Sequence, residues 1–246
     1  MRLTEQKQAK QRASQAERLA AIGEMVAVLT HESRNSLQLS QANLDMLCLE
    51  IEDQPESLEY VSRIQMAQDR LQRVLEELRE FAKPVCLYRE PYNLRSLVGQ
   101  VHNELSTVHA EKQIRLRQQA ARVDLRCAVD VFRMRQVFRN ILENSIAASP
   151  NPVRISVTWV SSELNGAPAL QVALRDNGPG LSAEQKQKVF EPFYTTRKRR
   201  TGLGMAITRR IVEAHDGKIA AGGNGSEGAE FVITLPRGSA VQNDRP

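Results

Sequence analysis

Apolar residues recur at three- and four-residue spacing near the start of the chain, at Leu19, Ile22, Val26 and Leu29, and again at Leu37, Leu44, Leu47 and Ile51. That period lines one face of an α-helix. Between Arg2 and Ile51 there is no proline and one glycine, Gly23, among many Gln, Ala, Glu, Lys and Arg residues, so a single very long helix is predicted. The segment Glu52-Asp53-Gln54-Pro55-Glu56-Ser57 breaks it. Ser57 is the expected cap of a second helix with a stripe of Leu58, Val61, Ile64, Leu71, Val74, Leu78 and Phe81, ended by Lys83-Pro84. Two such helices cannot bury their stripes alone. A four-helix bundle made by two chains would bury them, which predicts a homodimer; the alternative is a monomeric hairpin packed on the rest of the chain.

From about Val85 to Pro91 the pattern reads as a linker, and the texture then changes. Helical spacing from Leu94 to Lys112 is followed by strand patterns at Ile114–Gln118 and Leu125–Val129 and a helix from Phe132 to Ser149. Strands at Val153–Val160 and Leu170–Asp176 come next, then a short helix after Ser182. A helix from Gly202 to about His215 and strands Lys218–Ala221 and Glu230–Leu235 close the pattern. The expected fold class is α+β, a long helical hairpin in a dimeric four-helix bundle followed by an α/β sandwich. The expected boundaries are 1–84 for the helical domain, 85–91 for the linker, 92–237 for the second domain and 238–246 for a disordered tail.

Composition narrows the function classes. No run approaches ~18 consecutive apolar residues, so no membrane span is expected, and the N-terminus lacks the apolar core of a signal peptide. Cys48, Cys86 and Cys127 are scattered without metal-ligand spacing and read as reduced thiols, which predicts a cytoplasmic protein. The net charge of +5 comes from basic residues interleaved with acids, not from a basic-aromatic platform, so nucleic acid is not expected as a partner.

The chemistry is concentrated in three short motifs. Asp176-Asn177-Gly178-Pro179-Gly180 puts a carboxylate ahead of a Gly-x-Gly, able to reach a base edge while bare backbone lies against the ring. Thr201-Gly202-Leu203-Gly204 is a second Gly-x-Gly that opens a helix, where free N–H groups and the dipole favour phosphate. Upstream, Asn140-Ile141-Leu142-Glu143-Asn144 places two amides one helical turn apart, both able to address one ligand or metal. Together they predict an ATP site, and there is no G-x-x-x-x-G-K-[ST] to make it a P-loop.

In order and wording these motifs resemble the ATP-binding domain of sensor histidine kinases and, more remotely, of gyrase, mismatch-repair and heat-shock chaperone ATPases. Val189-Phe190-Glu191-Pro192-Phe193-Tyr194-Thr195-Thr196-Arg197 looks like the segment before the lid of histidine kinases. Leu29-Thr30-His31-Glu32-Ser33-Arg34-Asn35-Ser36-Leu37 resembles their phosphoacceptor box, usually H-E-x-x-N-P-L, and His31 lies about 200° round the helix from Leu29, away from the seam.

The resemblance covers nearly all of residues 16 to 236 and implies an ATP-dependent protein-histidine kinase. It implies His31 as phosphoacceptor, Glu32 as the residue that takes or orients its proton, and Asn35 as the residue that positions water when the phosphorylated partner is hydrolysed. It implies adenine recognition by Asp176 with Gly178, Gly180 and Leu181, and phosphate contact through Arg197, Gly202, Leu203 and Gly204. It implies Mg²⁺ bound with ATP at Asn144, and Asn140 where gyrase-type enzymes carry a water-activating glutamate. Glu143 is open between a solvent-facing carboxylate and a part of the site, as is Gly228 between a last glycine box and a plain hairpin turn.

The implied partners are a second copy, a response-regulator receiver domain and an upstream sensory domain or protein. Ser36 stands where proline is usual, Ser33 where a large apolar residue is usual, Arg200 where glycine is usual and Ala147 where many relatives carry lysine. The rival readings are a non-catalytic dimeric phosphotransfer scaffold with a decayed ATP site, and a plain gyrase-type ATPase. The intact motifs argue against the first; His31 and Asn140 argue against the second.

Overall fold

The structure, a computed structural model, describes residues 32–120, 123–197, 200–222 and 228–237. The expected helix up to His31 and the expected tail lie outside the described residues. The chain divides into two compact units, Met1–Pro84 and Val85–Pro246. Each is taken by itself.

In the first unit, α1 is helical through residues 32–50 and α2 spans Pro55–Ala82. Helix α2 starts one turn earlier than its expected serine cap. Pro55 supplies the first-turn φ, Gln54 is the N-cap without a side-chain bond, and the Ser57 hydroxyl donates to Gln54 Oε1 (3.2 Å). Arg34 and Glu76 (2.7 Å) and Gln68 and Ser40 (2.5 Å) tie the two helices together. Ser36, in the place usual for proline, keeps α1 unbroken: its hydroxyl donates to the Glu32 carbonyl (3.0 Å). Leu44 and Val61 are buried, yet Leu39, Met46, Leu47, Leu49, Ile64 and Leu71 stay exposed.

The second unit starts with β1 (Glu90–Asn93), a strand inside and just past the expected linker, followed by α3 (Leu94–Val108), β2 (Ile114–Ala120), β3 (Arg126–Val129) and α4 (Val131–Ala148). Then come β4 (Val153–Leu164), β5 (Ala167–Arg175), α5 (Ala183–Lys188), α6 (Gly204–Ala214), β6 (Lys218–Gly222) and β7 (Glu230–Pro236). Strands β1 and β3 form an antiparallel pair; the main sheet has the order β2-β4-β5-β7-β6, parallel between β2 and β4 and antiparallel elsewhere.

Strict alternation along β4 turns Val153, Ile155, Val157 and Trp159 inward and leaves Arg154, Ser156, Thr158 and Val160 outside. Helices α3, α4 and α6 cover the inner face and bury Leu97, Val101, Met134, Phe138, Ile141 and Ile211. The β4–β5 hairpin is longer than its expected strands. Asn165 (φ 53°) and Gly166 (φ 79°) form the left-handed two-residue turn that suits tight hairpins, which the Asn-Gly pair in the sequence signals.

One buried hub joins the start of α4 to the end of α6. Asp130 caps α4, its Oδ1 accepting from the Arg133 N–H (3.0 Å) and its Oδ2 from the Tyr88 N–H (2.9 Å). The Asp130 N–H donates to His215 Nε2 (2.9 Å), so the His215 proton sits on Nδ1 and is donated to the Ile211 carbonyl (2.7 Å). Arg89 donates to the Ala214 carbonyl (2.7 Å) and pairs with Asp216 (2.8 Å).

Burial pushes the His215 pKa down, opposed by its bond to Ile211; Arg89 lowers it further, and Asp130 and Asp216 raise it. The folded state therefore prefers neutral His215. Stability from this site is complete above the unfolded histidine value of about 6.5 and is lost as pH falls towards the folded value. Thermal melting between pH 7.5 and 5 should show the second unit losing stability on acidification, with a flatter slope in His215→Gln; equal slopes would remove His215 as the cause.

Candidate functional site

Asp176 follows the last residue of β5 and is 5% exposed. Its Oδ1 accepts from the Gly178 N–H (2.8 Å) and the Ala229 N–H (3.0 Å), while its own N–H donates to the Ala229 carbonyl (3.0 Å). These bonds fix the carboxylate plane and occupy one oxygen. Among the described residues Oδ2 has no such partner.

The clasp depends on Gly228. At φ +89° a side chain there is disfavoured, and a Cβ would stand 1.8 Å from the Asp176 carbonyl oxygen. Gly228 is therefore packed against the Asp176 backbone, not a plain turn. On the other side a Cβ at Gly178 would come within 3.0 Å of Asp176 Oδ1 and 3.4 Å of Ala148. Gly180 and Leu181 continue this loop, both half-buried. Asn177 anchors it by accepting from the Arg154 N–H (2.8 Å) and donating to the Pro152 carbonyl (3.1 Å), a role with no signal in the sequence beyond an apparent Asn-Gly turn.

Asn140 and Asn144 lie one turn apart on α4, both half-buried, but they do different work. The Asn140 amide donates to the Gly204 carbonyl (2.9 Å) and to Thr208 Oγ1 (3.2 Å), so it joins α4 to the first turn of α6. Thr208, fully buried, also donates to Gly204 (2.9 Å). It was missed because a threonine inside an apolar helical pattern carries no distinguishing sign. Gly204 and not Gly202 is the first residue of α6, and Leu203, its N-cap, is buried. Gly202 (φ +76°) lies against the backbone of Phe193 and Tyr194, where a Cβ would meet Phe193 C at 2.6 Å and Tyr194 O at 2.7 Å.

Arg197 is half-buried. Its Nη2 donates to the Asn144 carbonyl (3.2 Å), and its Nη1 is buried without a partner among the described residues. Burial, then the nearby Arg200, lowers its pKa, and Asp176 opposes them. An unsatisfied guanidinium nitrogen beside the Asn144 turn has the charge and the free N–H groups to take an anion. Glu143 stands between Arg139 (3.8 Å) and Arg200 (3.9 Å) on α4, part of a charge network that continues from Arg139 to Glu104 (3.2 Å).

In the first unit Glu32 and Asn35 are exposed on α1. His31 lies outside the described residues. No group of three His, Cys, Asp or Glu side chains suited to a metal occurs among the described residues.

With this geometry in place, known proteins supply the comparison. Residues 21–85 match the His Kinase A (phospho-acceptor) domain, and residues 129–239 match the histidine kinase-, DNA gyrase B- and HSP90-like ATPase family. The signal transduction histidine-protein kinase AtoS of Escherichia coli (strain K12) is 31% identical over 254 residues, covering 95% of this chain and 38% of AtoS. The chain thus spans well under half of that relative. The catalytic domain of histidine kinase ThkA superposes with a TM-score of 0.53 at 30% identity, over 61% of this chain and 96% of that one. Histidine kinase ThkA in complex with response regulator protein TrrA matches 97% of this chain and 67% of that one, with 28% identity and a TM-score of 0.64. Both domain matches, in this order along one chain, and the likeness to the ThkA catalytic domain show that the chain belongs to the two-component sensor histidine kinases.

Proposed function

We propose that this chain is an ATP-dependent protein-histidine kinase that phosphorylates His31 and passes the phosphoryl group to an aspartate of a response-regulator receiver domain. The observation that carries this reading is the Asp176 clasp, a buried carboxylate held by two backbone N–H groups with one oxygen uncommitted. That oxygen accepts a hydrogen bond from the adenine amino group, and Gly178, Gly180 and Leu181 form the adjoining floor. Arg197 Nη1 and the N–H groups at Gly202 and Gly204 receive the phosphates, joined by that of Leu203 when it turns from Thr201 Oγ1 (3.3 Å). Asn144 would offer its amide oxygen to a Mg²⁺ ion bound with ATP, whose charge would offset that of the phosphates. Asn140 cannot serve as a general base, and its bonds to Gly204 and Thr208 give it a positioning task that leaves water unactivated.

His31 attacks the γ-phosphorus through a neutral ring nitrogen, forming an N–P bond as the P–O bond to ADP breaks. Glu32 orients or accepts the proton on the other nitrogen. Asn35, one turn on, holds water for hydrolysis of the phosphorylated regulator. The receiver partner is supported by the likeness to ThkA in complex with TrrA. A homodimer is supported by the exposed Leu39, Met46, Leu49, Ile64 and Leu71 on the helical hairpin, which a second copy would cover.

Residues 1–84 would form the phosphoacceptor domain and the unit from Val85 onward the ATP-binding domain, and an upstream sensory domain or protein would set the activity. We place the reaction in the cytoplasm, where the free cysteines stay reduced; no helix among the described residues is long and apolar enough to cross a membrane.

Incubation with γ-labelled ATP should label the protein, and because phosphoramidates are acid-labile and base-stable, acid should remove the label. Acid-stable label, or none, would overturn the reading. Asp176→Asn should weaken ATP binding about ten- to a hundred-fold, the worth of a charge-assisted hydrogen bond of roughly 1.5–3 kcal/mol. Calorimetric titration would check it, and an unchanged affinity would remove Asp176 from adenine recognition.

A further inference from the structure

The outer face of the main sheet is basic at one corner. Arg115 and Arg117 of β2 and Arg154 of β4 are exposed on that face; Arg115 lies opposite Arg154, and Arg117 opposite Ser156. Ser156 in turn lies opposite Arg175, whose Nε (3.1 Å) and Nη2 (2.9 Å) both donate to Glu230 Oε1. Arg175 thus has its carboxylate, whereas Arg115, Arg117 and Arg154 have no ion pair with another described residue. Like charges directly opposite on paired strands work against the sheet, and a counter-charge would relieve them.

The same strand is a sheet edge. Strand β2 stands last in the sheet order, and among the described residues its backbone makes no backbone hydrogen bond beyond those to β4; only its first carbonyl, at Ile114, meets a side chain, His102 Nε2 (3.4 Å). The unpaired side of such a strand is a template for an added one.

We propose that the β2 edge docks an extended acidic segment of a partner protein, which adds as a strand and sets alternate carboxylates against Arg115 and Arg117. Strand geometry fits this. Neighbouring strands lie about 4.8 Å apart, and same-side residues recur every ~6.6–6.8 Å, so carboxylates at every second position fall beside successive arginines. Arginine rather than lysine suits the planar, two-bond recognition of carboxylate. A second copy of β2 would set arginine against arginine, so the charges that bar self-pairing admit an acidic strand. Nucleic acid fits less well: the outward residues here are Arg115, Arg117, Gln119, Ser156 and Thr158 without an aromatic for stacking, and Trp159 is buried.

The test is fluorescence anisotropy of the full chain with labelled peptides. One alternates Glu and Val over seven residues; a second carries Pro in place of each Val and cannot pair as a strand; a single-stranded oligonucleotide of the same formal charge is the third probe. The Glu-Val peptide should bind and slow hydrogen exchange of β2 amides. R115E/R117E should weaken it at least about ten-fold while keeping ATP affinity and circular dichroism, and R154E alone should weaken it in the same direction. Absence of peptide binding, equal binding of the proline peptide, tighter binding of the oligonucleotide, or unchanged affinity in both charge-reversal variants would overturn the proposal.

Discussion

His31→Gln should abolish phosphoryl incorporation while leaving ATP affinity unchanged. Glutamine keeps polarity and approximate size but has no basic ring nitrogen to form the N–P bond, so the expected loss is total rather than graded. The structure encloses His215 and gives His102 and His109 local partners. His215 is 1% exposed with both ring nitrogens engaged, at Ile211 and Asp130. His102 has Nδ1 3.2 Å from Asn103 Oδ1 and Nε2 3.4 Å from the Ile114 carbonyl, and His109 stands 3.5 Å from Glu111. Labelling of wild type and variant, with calorimetric ATP titration of each, separates acceptor loss from binding loss. Label surviving in His31→Gln would place the acceptor elsewhere and leave the ATP site standing.

Gly228→Ala should cost the second unit both its nucleotide site and much of its stability. The added Cβ meets the Asp176 carbonyl oxygen at 1.8 Å and its carbonyl carbon at 2.6 Å, both backbone atoms that no rotamer change can move. Relief requires the loop to part from β5, which breaks the Ala229–Asp176 bonds and frees the carboxylate. Positive-φ strain alone costs of order 1–3 kcal/mol. With the clash, a loss of roughly 3–4 kcal/mol and a fall of about 6–16 °C in Tm are expected, together with ATP binding weakened beyond about a hundred-fold. Gly166→Ala is the matched control: φ is +79° there too, but nothing lies within 4 Å of the added Cβ. It should show strain without loss of ATP binding. Equal effects of the two substitutions would mean that the Gly228 contact contributes nothing.

Much of this protein is legible in one dimension. The 3.6-residue stripes, the Pro55 interruption and the alternation along β4 specify helices and strands because these are local consequences of which face is buried. The glycine boxes and paired asparagines announce a nucleotide site because backbone approach and anion binding need particular residues at particular spacings. Local reading slipped where two local signals competed: a serine near Pro55 looked like the cap, although the proline starts the helix itself, and Asn165-Gly166 lay unrecognised between two shortened strands.

What stayed hidden depends on residues far apart in the chain. Nothing near Asn140 tells that its amide is tied to Gly204 and Thr208, and nothing near Ala229 tells that its N–H fixes Asp176 across 53 positions. Gly228 reads as a turn until folding lays it on Asp176, and Arg115 reads as a solvated charge until parallel pairing sets it opposite Arg154. By itself, then, the sequence determined the main elements, the family and the chemical groups, since each follows from short-range pattern and residue type, whereas β1 (Glu90–Asn93) reads as linker because four residues paired only with β3 carry no pattern of their own. The tertiary structure alone decided which oxygen of Asp176 is held by backbone N–H groups, which guanidinium nitrogen lacks a partner and which strand stands at the sheet edge. Those outcomes depend on hydrogen bonds and steric contacts that exist only once distant segments are packed together.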